Sequence, residues 1–197
     1  MEWWAAKRTL PGQTDSGDHH LVRKLSTGAL LAVVDGLGHG QDASAAAKIA
    51  IRILRRRAQE PIVALVNHCH AALRETRGAV MSLAQFQAKE GTITWLGVGN
   101  VVGLVMRPVM GNGIQPVRLL LRGGVVGGHL PALHVSTFPV QPGDTLVFAT
   151  DGIGGDFERD LNPSQSLQPL AEGILARHGL KTDDALVLLA RFGEVVS

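Results

Sequence analysis

The stretch ALLAVVDGLGHGQDASAAAKIA, residues 29–50, runs an apolar segment into Asp35, then a glycine-rich turn, then an alanine-rich segment. The apolar segment predicts a buried strand, and the apolar residues at helical spacing from Ala43 to Leu54 predict a helix. Asp42 is placed either to cap this helix or to favour its dipole. Asp35, by contrast, places a charged side chain at the end of a buried strand, which suggests a chemical role for that side chain.

The composition is that of a globular protein without a specialised surface. A chain of 197 residues with 45% hydrophobic residues can bury one core, and we expect one domain over 1–197. The net charge of +2 is too small for a surface of nucleic-acid-binding type. No apolar run is long enough to span a bilayer, and no signal peptide is recognisable. We therefore expect a cytoplasmic monomer that binds neither nucleic acid nor membrane.

The rest of the chain alternates between strand-like and helical patterns. Two further helices are predicted, one starting at Pro61 and one over SLQPLAEGILARHG. Short connections between residues 80 and 124 predict an antiparallel meander. Helices placed among hairpin-linked strands indicate the α+β class, in which helices cover antiparallel sheets. The strands are predicted in EWWAAKRTL, HLVRKL, GALLAVVD, VMSLAQFQ, TITWLGVGN, VVGLVMRP, VRLLLRGG, TLVFATD and ALVLLARF.

Acidic residues recur where these predicted strands end. A carboxylate cluster at one edge of a core raises the pKa of each member unless cations neutralise it. An all-oxygen set favours Mg²⁺ or Mn²⁺ over zinc, because no cysteine or histidine stands at ligand spacing. The paired histidines of HH and HCH point in different directions on a strand and on a helix. The acidic positions are Asp18, Asp35, Asp151, Asp183 and Asp184.

The glycines around Asp35 do not form a known nucleotide-binding loop. Gly36, Gly38 and Gly40 alternate, which matches neither the dinucleotide fingerprint nor the P-loop, so a phosphate would need a bridging metal. Because Gly36 has no Cβ, its carbonyl can approach an ion. A single Asp-Gly pair is more often a turn signal than a site, but three strand-end motifs together favour a site. His39 is either a surface loop residue or a proton donor.

The motifs DGLGHG, GDTLVFATDGI and TDDALVLLARF, preceded by SGD, resemble in order and spacing the PPM metal-dependent serine/threonine protein phosphatases. Within that family they resemble the bacterial SpoIIE and RsbU branch, and the short chain is similar to the RsbX type of stressosome phosphatase. The resemblance implies a four-layer αββα sandwich, in which helices flank two antiparallel sheets. It also implies two Mn²⁺ or Mg²⁺ ions at one edge of the sandwich.

The resemblance implies a role for each matching position. Asp35 would bridge both ions, and the Gly36 carbonyl would bind one of them. Asp151 and Asp183 would hold the other ion, with Asp184 as a substitute or support for Asp183. Asp18 would bind through water. A metal-bound water would then attack the phosphorus, so the candidate catalytic residues are Asp35, Asp151 and His39.

Two positions depart from the family pattern. Larger relatives have a histidine directly after the Asp-Gly, where this chain has Leu37, and His39 stands two residues further on. Larger relatives also have an upstream arginine for the substrate phosphate, where this chain offers Gln13 and Thr14. If the metals alone hold the phosphate, the intrinsic affinity is weak and recognition relies on docking to a protein partner.

The function that the resemblance implies is dephosphorylation of phosphoserine or phosphothreonine in a bacterial stress-signalling pathway. The partners would be phosphorylated STAS-domain proteins of the RsbS and RsbR kind. The alternatives are an anti-anti-sigma-factor phosphatase of RsbU or SpoIIE type, and a non-catalytic binding module with the same fold. A metal-dependent nuclease is disfavoured, because the sequence lacks a basic groove with interleaved aromatic residues.

Overall fold

The strand-like segments form two antiparallel sheets in a computed structural model, which describes residues 1–109 and 113–193. One sheet has the strand order β1-β10-β9-β6-β7, and the other has the order β2-β3-β4-β5-β8. In chain order the elements are β1 (Glu2–Arg8), β2 (Asp18–Leu25), β3 (Gly28–Gly36), α1 (Gly40–Arg56), α2 (Ile62–Leu73), β4 (Ala79–Gln87), β5 (Thr92–Val98), β6 (Val102–Val109), β7 (Gly113–Arg118), β8 (Ser136–Pro139), β9 (Thr145–Ala149), a 3₁₀-helix (Phe157–Asp160), α3 (Leu167–His178) and β10 (Ala185–Arg191).

Three apolar clusters hold these elements in four layers. Trp95, Phe148 and Leu186 belong to the cluster between the two sheets. A second cluster packs α1 and α2 against the sheet that contains β3, and a third packs α3 against the sheet that contains β10. Alternate side chains of β3 and β10 enter different clusters, because successive residues of a strand point to opposite faces. The α+β class and the αββα sandwich predicted from the sequence are confirmed.

Helix α1 shows how the alanine-rich segment is used. Its small residues form a fully buried face that lets the helix approach the sheet closely. The N-cap is His39, without a side-chain capping bond, and Asp42 lies in the first turn. Of the two roles predicted for Asp42, the position fits the dipole role and not the cap. No helix in the described part of the chain is long and apolar enough to cross a membrane.

Three predictions about the strands were wrong. β5 and β6 do not pair, because the chain passes from one sheet to the other between Val98 and Val102, so the predicted meander is divided. The strand predicted in VRLLLRGG is displaced: β7 ends at Arg118, and Leu119 and Leu121 pack against the inter-sheet cluster outside any strand. The short, largely exposed β8 was not predicted, because its apolar alternation is weak. Residues 110–112 of the predicted MGNG turn lie outside the described residues.

Candidate active site

The strand ends bring acids from both sheets to one edge of the sandwich. Asp18 and Asp35 are direct partners in the antiparallel pair of β2 and β3. In the other sheet, Asp151 lies just after β9 and Asp183 just before β10, and these two strands are neighbours. A pocket of about 460 Å³ opens at this edge and is lined by Asp35, Asp151 and Asp183.

The paired carboxylates of Asp18 and Asp35 lie in an unfavourable environment. Burial, together with the charge of Asp18 and then of Asp151, raises the pKa of Asp35 to about 8. Burial also raises the pKa of Asp18 to about 7, although a hydrogen bond from Thr150 opposes the change. Like charges placed directly opposite each other on two strands are destabilising. Any cation placed among these groups would favour their charged forms.

Asp183 and Asp184 are neighbours in the sequence, but they have different surroundings. Asp183 lines the pocket, and burial followed by the charges of Asp151 and Asp184 raises its pKa. Asp184 is 3% exposed and is not part of the pocket lining. Its Oδ1 accepts a hydrogen bond of 2.8 Å from the Leu10 amide, and its Oδ2 accepts one of 2.7 Å from the Gly17 amide. Asp184 therefore anchors the loop that leads into β2.

The glycines of the two Asp-Gly pairs are required by close packing. A Cβ on Gly36 would lie 2.0 Å from the Ala43 carbonyl oxygen of α1. A Cβ on Gly152 would lie 1.8 Å from the carbonyl oxygen of Asp184. Gly36 also donates its amide to the Gly17 carbonyl at 3.1 Å. Each glycine thus lets a strand end approach neighbouring backbone more closely than any side chain would permit.

The pocket rim contains one predicted residue and one that sequence reasoning missed. His39 is exposed at the rim, and its charge opposes the rise in the pKa of Asp183. Asn100, in the crossover between the sheets, donates from Nδ2 to Oδ2 of Asp151 at 2.8 Å. The Gly-Asn pair in the sequence is a turn signal, and it gives no sign of this contact. Asn100 therefore orients the carboxylate of Asp151, which lies 51 residues later in the chain.

The other histidines of the predicted HH and HCH motifs take part in local contacts. His19 contacts the Ser44 hydroxyl at 3.3 Å, and the ring of His20 packs 5.7 Å from that of Trp3. His68 pairs with Glu60 at 2.9 Å, and His70 Nδ1 accepts from the Gly127 amide at 3.0 Å. In the parts of the chain that are described, these histidines lie outside the acidic pocket lining.

The chemistry of the donor set fits a hard divalent cation. Within residues 1–109 and 113–193, no lysine, arginine or histidine forms an ion pair with Asp18, Asp35, Asp151 or Asp183. Over the same ranges, no three His, Cys, Asp or Glu side chains could hold a metal by themselves. Mg²⁺ commonly retains several waters and uses only one or two carboxylates, so backbone oxygens and water can complete such a site.

Comparison with known proteins agrees with this fold. Residues 26–193 match the family model for stage II sporulation protein E (SpoIIE). The chain is 23% identical over 181 residues to the phosphoserine phosphatase RsbX of Bacillus subtilis (strain 168), covering 91% of this chain and 89% of RsbX. The match to the SpoIIE model covers the motifs around Asp35, Asp151 and Asp183.

Solved structures show the same architecture. One comes from work on the bacterial stressosome, a modular system that has been adapted to control secondary messenger signalling. It has a TM-score of 0.86 and 30% identity over 96% of this chain and 98% of that chain. RsbX in complex with magnesium has a TM-score of 0.84 and 21% identity over 95% of this chain and 92% of that chain. The PP2C phosphatase domain of SpoIIE from Bacillus subtilis has a TM-score of 0.78 and 20% identity, over 96% of this chain and 62% of that chain.

The chain belongs to the SpoIIE family of PP2C-type phosphatase domains. It is a protein serine/threonine phosphatase of the RsbX and SpoIIE type, which confirms the class of enzyme expected from the motifs. RsbX, one of these relatives, was solved in complex with magnesium, and the acids of the pocket are the candidate oxygen ligands in this chain.

Proposed function

We propose that this protein, as a single catalytic domain over 1–197, removes phosphate from phosphoserine or phosphothreonine in a protein substrate, using two Mn²⁺ or Mg²⁺ ions. The observation that carries the proposal is the convergence of Asp35, Asp151 and Asp183 from two sheets on one pocket, without a cationic side chain to pair with them in the described residues. A group of carboxylates that the protein itself leaves uncompensated favours the binding of cations.

The proposed ligands are the side chains of Asp35, Asp151 and Asp183 together with the Gly36 carbonyl. Asp18, which is 1% exposed, would act through water. Asp184 would support Asp183 by holding the backbone around it, because its oxygens accept bonds from Leu10 and Gly17. Divalent ions at this edge would activate a water for attack and neutralise charge on the phosphoryl oxygens.

The remaining polar residues of the site position these acids. Asn100 fixes the direction of the Asp151 carboxylate, and Thr150 does the same for Asp18. His39 lies at the rim of the pocket, where an imidazole can give a proton to the departing alkoxide of serine or threonine. An exposed position at the rim suits a group that meets the substrate side chain rather than the ions.

The substrate we propose is a phosphorylated STAS-domain protein of the RsbS or RsbR kind, in the cytoplasm. Support comes from the likeness over nearly the whole chain to RsbX and to a structure described with the stressosome. The site suits a protein substrate, because glycine and apolar residues make up half of the described pocket lining, which leaves much of the recognition to surfaces around it.

The test is hydrolysis of p-nitrophenyl phosphate and of a serine phosphopeptide, with and without Mn²⁺ or Mg²⁺. We expect activity that requires the metal, is abolished by EDTA and is lost in Asp35→Ala. Activity that survives EDTA would overturn the proposal. Failure of calorimetry to detect any divalent-ion binding would favour a non-catalytic module instead.

The choice of substrate needs a separate comparison. Phosphorylated RsbS-type, RsbR-type and anti-anti-sigma-factor proteins are offered at equal concentration, and kcat/KM is measured for each. We expect the RsbS or RsbR type to be preferred. A preference for the anti-anti-sigma factor would assign the protein to the RsbU and SpoIIE kind of activity.

A further inference from the structure

We propose that Arg77 binds the phosphate group of the substrate at the rim of the acidic pocket. This inference rests on the proposed phosphatase function and names a residue for it that none of the sequence motifs contains. Arg77 lies in the connection between α2 and β4, far in sequence from the N-terminal loop before β2. In that loop, Gln13 lies against Gly40 and Thr14 bonds to Asp15.

The turn that carries Arg77 is fixed on both sides. The Thr76 hydroxyl donates to the Leu73 carbonyl at 2.7 Å and accepts from the Gly78 amide at 3.0 Å. Gly78 has a φ of +79°, which few other residues adopt. The Leu37 amide donates to the Gly78 carbonyl at 3.1 Å, which ties this turn to the loop after Asp35. The backbone at Arg77 is therefore held in a defined place beside the pocket.

The Arg77 guanidinium lies directly over Gly38. A Cβ on Gly38 would come within 2.6 Å of Nη1 of Arg77, so the absence of a side chain makes room for the guanidinium. Gly38 has a φ of +89° and lines the pocket together with Asp35 and Asp183. The guanidinium itself lies in the neighbouring depression that Asp42 and Thr76 also line, so Gly38 separates it from the acidic pocket by the width of one backbone residue.

Arg77 also has N–H donors beyond the one that contacts Asp42. Its Nη2 donates to Oδ2 of Asp42 at 3.0 Å, and the two side chains are 52% and 70% exposed. An ion pair so exposed contributes little to stability, so Asp42 directs the side chain without retaining it strongly. A guanidinium has five N–H donors in a plane that matches two phosphate oxygens. No lysine or arginine is among the described residues that line the pocket, so Arg77 adds a charge that the lining lacks.

The test compares Arg77→Ala with Arg74→Ala, which removes the same charge from the same connection but away from the pocket. With Mn²⁺ present, we expect Arg77→Ala to raise KM for a phosphopeptide and Ki for inorganic phosphate by about tenfold, as loss of a hydrogen bond to a charged group predicts. Arg77→Lys should recover part of this loss. Calorimetric Mn²⁺ binding should be unchanged in both alanine variants. Equal KM and Ki in Arg77→Ala and Arg74→Ala would overturn the inference.

Asp42→Asn separates phosphate binding from a merely structural role. If Arg77 acts only through its ion pair, Asp42→Asn will reproduce the rise in KM and Ki, and the inference is wrong. If Arg77 binds phosphate, Asp42→Asn will leave both constants unchanged or lower them, because the guanidinium is released. If the wild type does not hydrolyse phosphopeptides with Mn²⁺, the proposed function itself is refuted. If the wild type is active and Arg77→Ala has the same KM and Ki, only this inference is refuted.

Discussion

The hydroxyl of Thr150 donates a hydrogen bond of 2.7 Å to Oδ2 of Asp18. Thr150 follows β9 in one sheet and Asp18 begins β2 in the other, so this bond joins the two sheets beneath the acidic pocket. The same hydroxyl accepts a hydrogen bond of 2.9 Å from the Leu186 amide of β10. One side chain thus orients a buried acid and completes the backbone bonding of a neighbouring strand.

Thr150→Val keeps the shape of the side chain and removes both bonds. Because partners in the second coordination layer typically contribute 10- to 100-fold to metal affinity, we expect the Mn²⁺ concentration for half-maximal activity to rise by about tenfold. Thr150→Ser keeps the hydroxyl and should stay within about twofold of wild type on the same scale. A metal titration of phosphatase activity checks both variants. Equal half-maximal concentrations in the valine and serine variants would show that the hydroxyl does not support the site.

Asp183 and Asp184 should differ in what their removal changes. Asp183→Asn should abolish calorimetric metal binding while altering the free energy of unfolding by less than about 1 kcal/mol, since the side chain is partly exposed. Asp184→Ala should lower the free energy of unfolding by about 2 kcal/mol or more, because the buried Gly17 amide and the partly buried Leu10 amide lose their acceptor. Urea denaturation and calorimetry together check the pair. The reverse pattern would make Asp184 the metal ligand.

Asp35→Asn should stabilise the protein in EDTA. The pKa of Asp35 in the folded state, about 8, lies above the unfolded value of about 4, so the folded state binds more protons between these pH values. The free energy of unfolding in EDTA therefore falls as pH rises from about 4 to about 8. The asparagine variant avoids this loss, and at pH 8 it should be more stable than wild type by on the order of 3 kcal/mol.

Urea denaturation at pH 5 and pH 8, each with EDTA, measures this difference. Glu75→Gln, at an exposed position, is the matched control and should follow wild type at both pH values. The stabilised Asp35→Asn protein should have no phosphatase activity with Mn²⁺. The explanation fails if the asparagine variant is no more stable than wild type at pH 8.

Gly36→Ala and Gly152→Ala should each destabilise the protein by about 2 kcal/mol or more, because the new methyl meets backbone that cannot move aside. The methyl carbon would lie 2.0 Å from a carbonyl oxygen in the first variant and 1.8 Å from one in the second. Gly155→Ala is the control, since nothing lies within 4 Å of its Cβ, and it should change stability by less than about 0.5 kcal/mol. Equal urea midpoints for the three variants would contradict this packing argument.

The sequence predicted most of the elements because their apolar periods are strong. The helical spacing after Asp42 and the strand before Asp35 appear close to their predicted positions as α1 and β3. The same periods say nothing about which sheet a strand joins, and for that reason the separation of β5 from β6 was missed. Leu119 and Leu121 were predicted in a strand because burial alone produces the same apolar pattern.

By itself, the sequence determined that acids stand at strand ends, because an apolar run followed by Asp-Gly is a local pattern. Only the tertiary structure decided which acids share the pocket. Asp183 and Asp184 are chemically alike, but just before β10 one side chain lines the pocket while the other is buried and accepts hydrogen bonds from the loop that leads into β2. Asn100 contacts Asp151 across 51 positions of sequence, and that contact exists only once the two sheets have packed together.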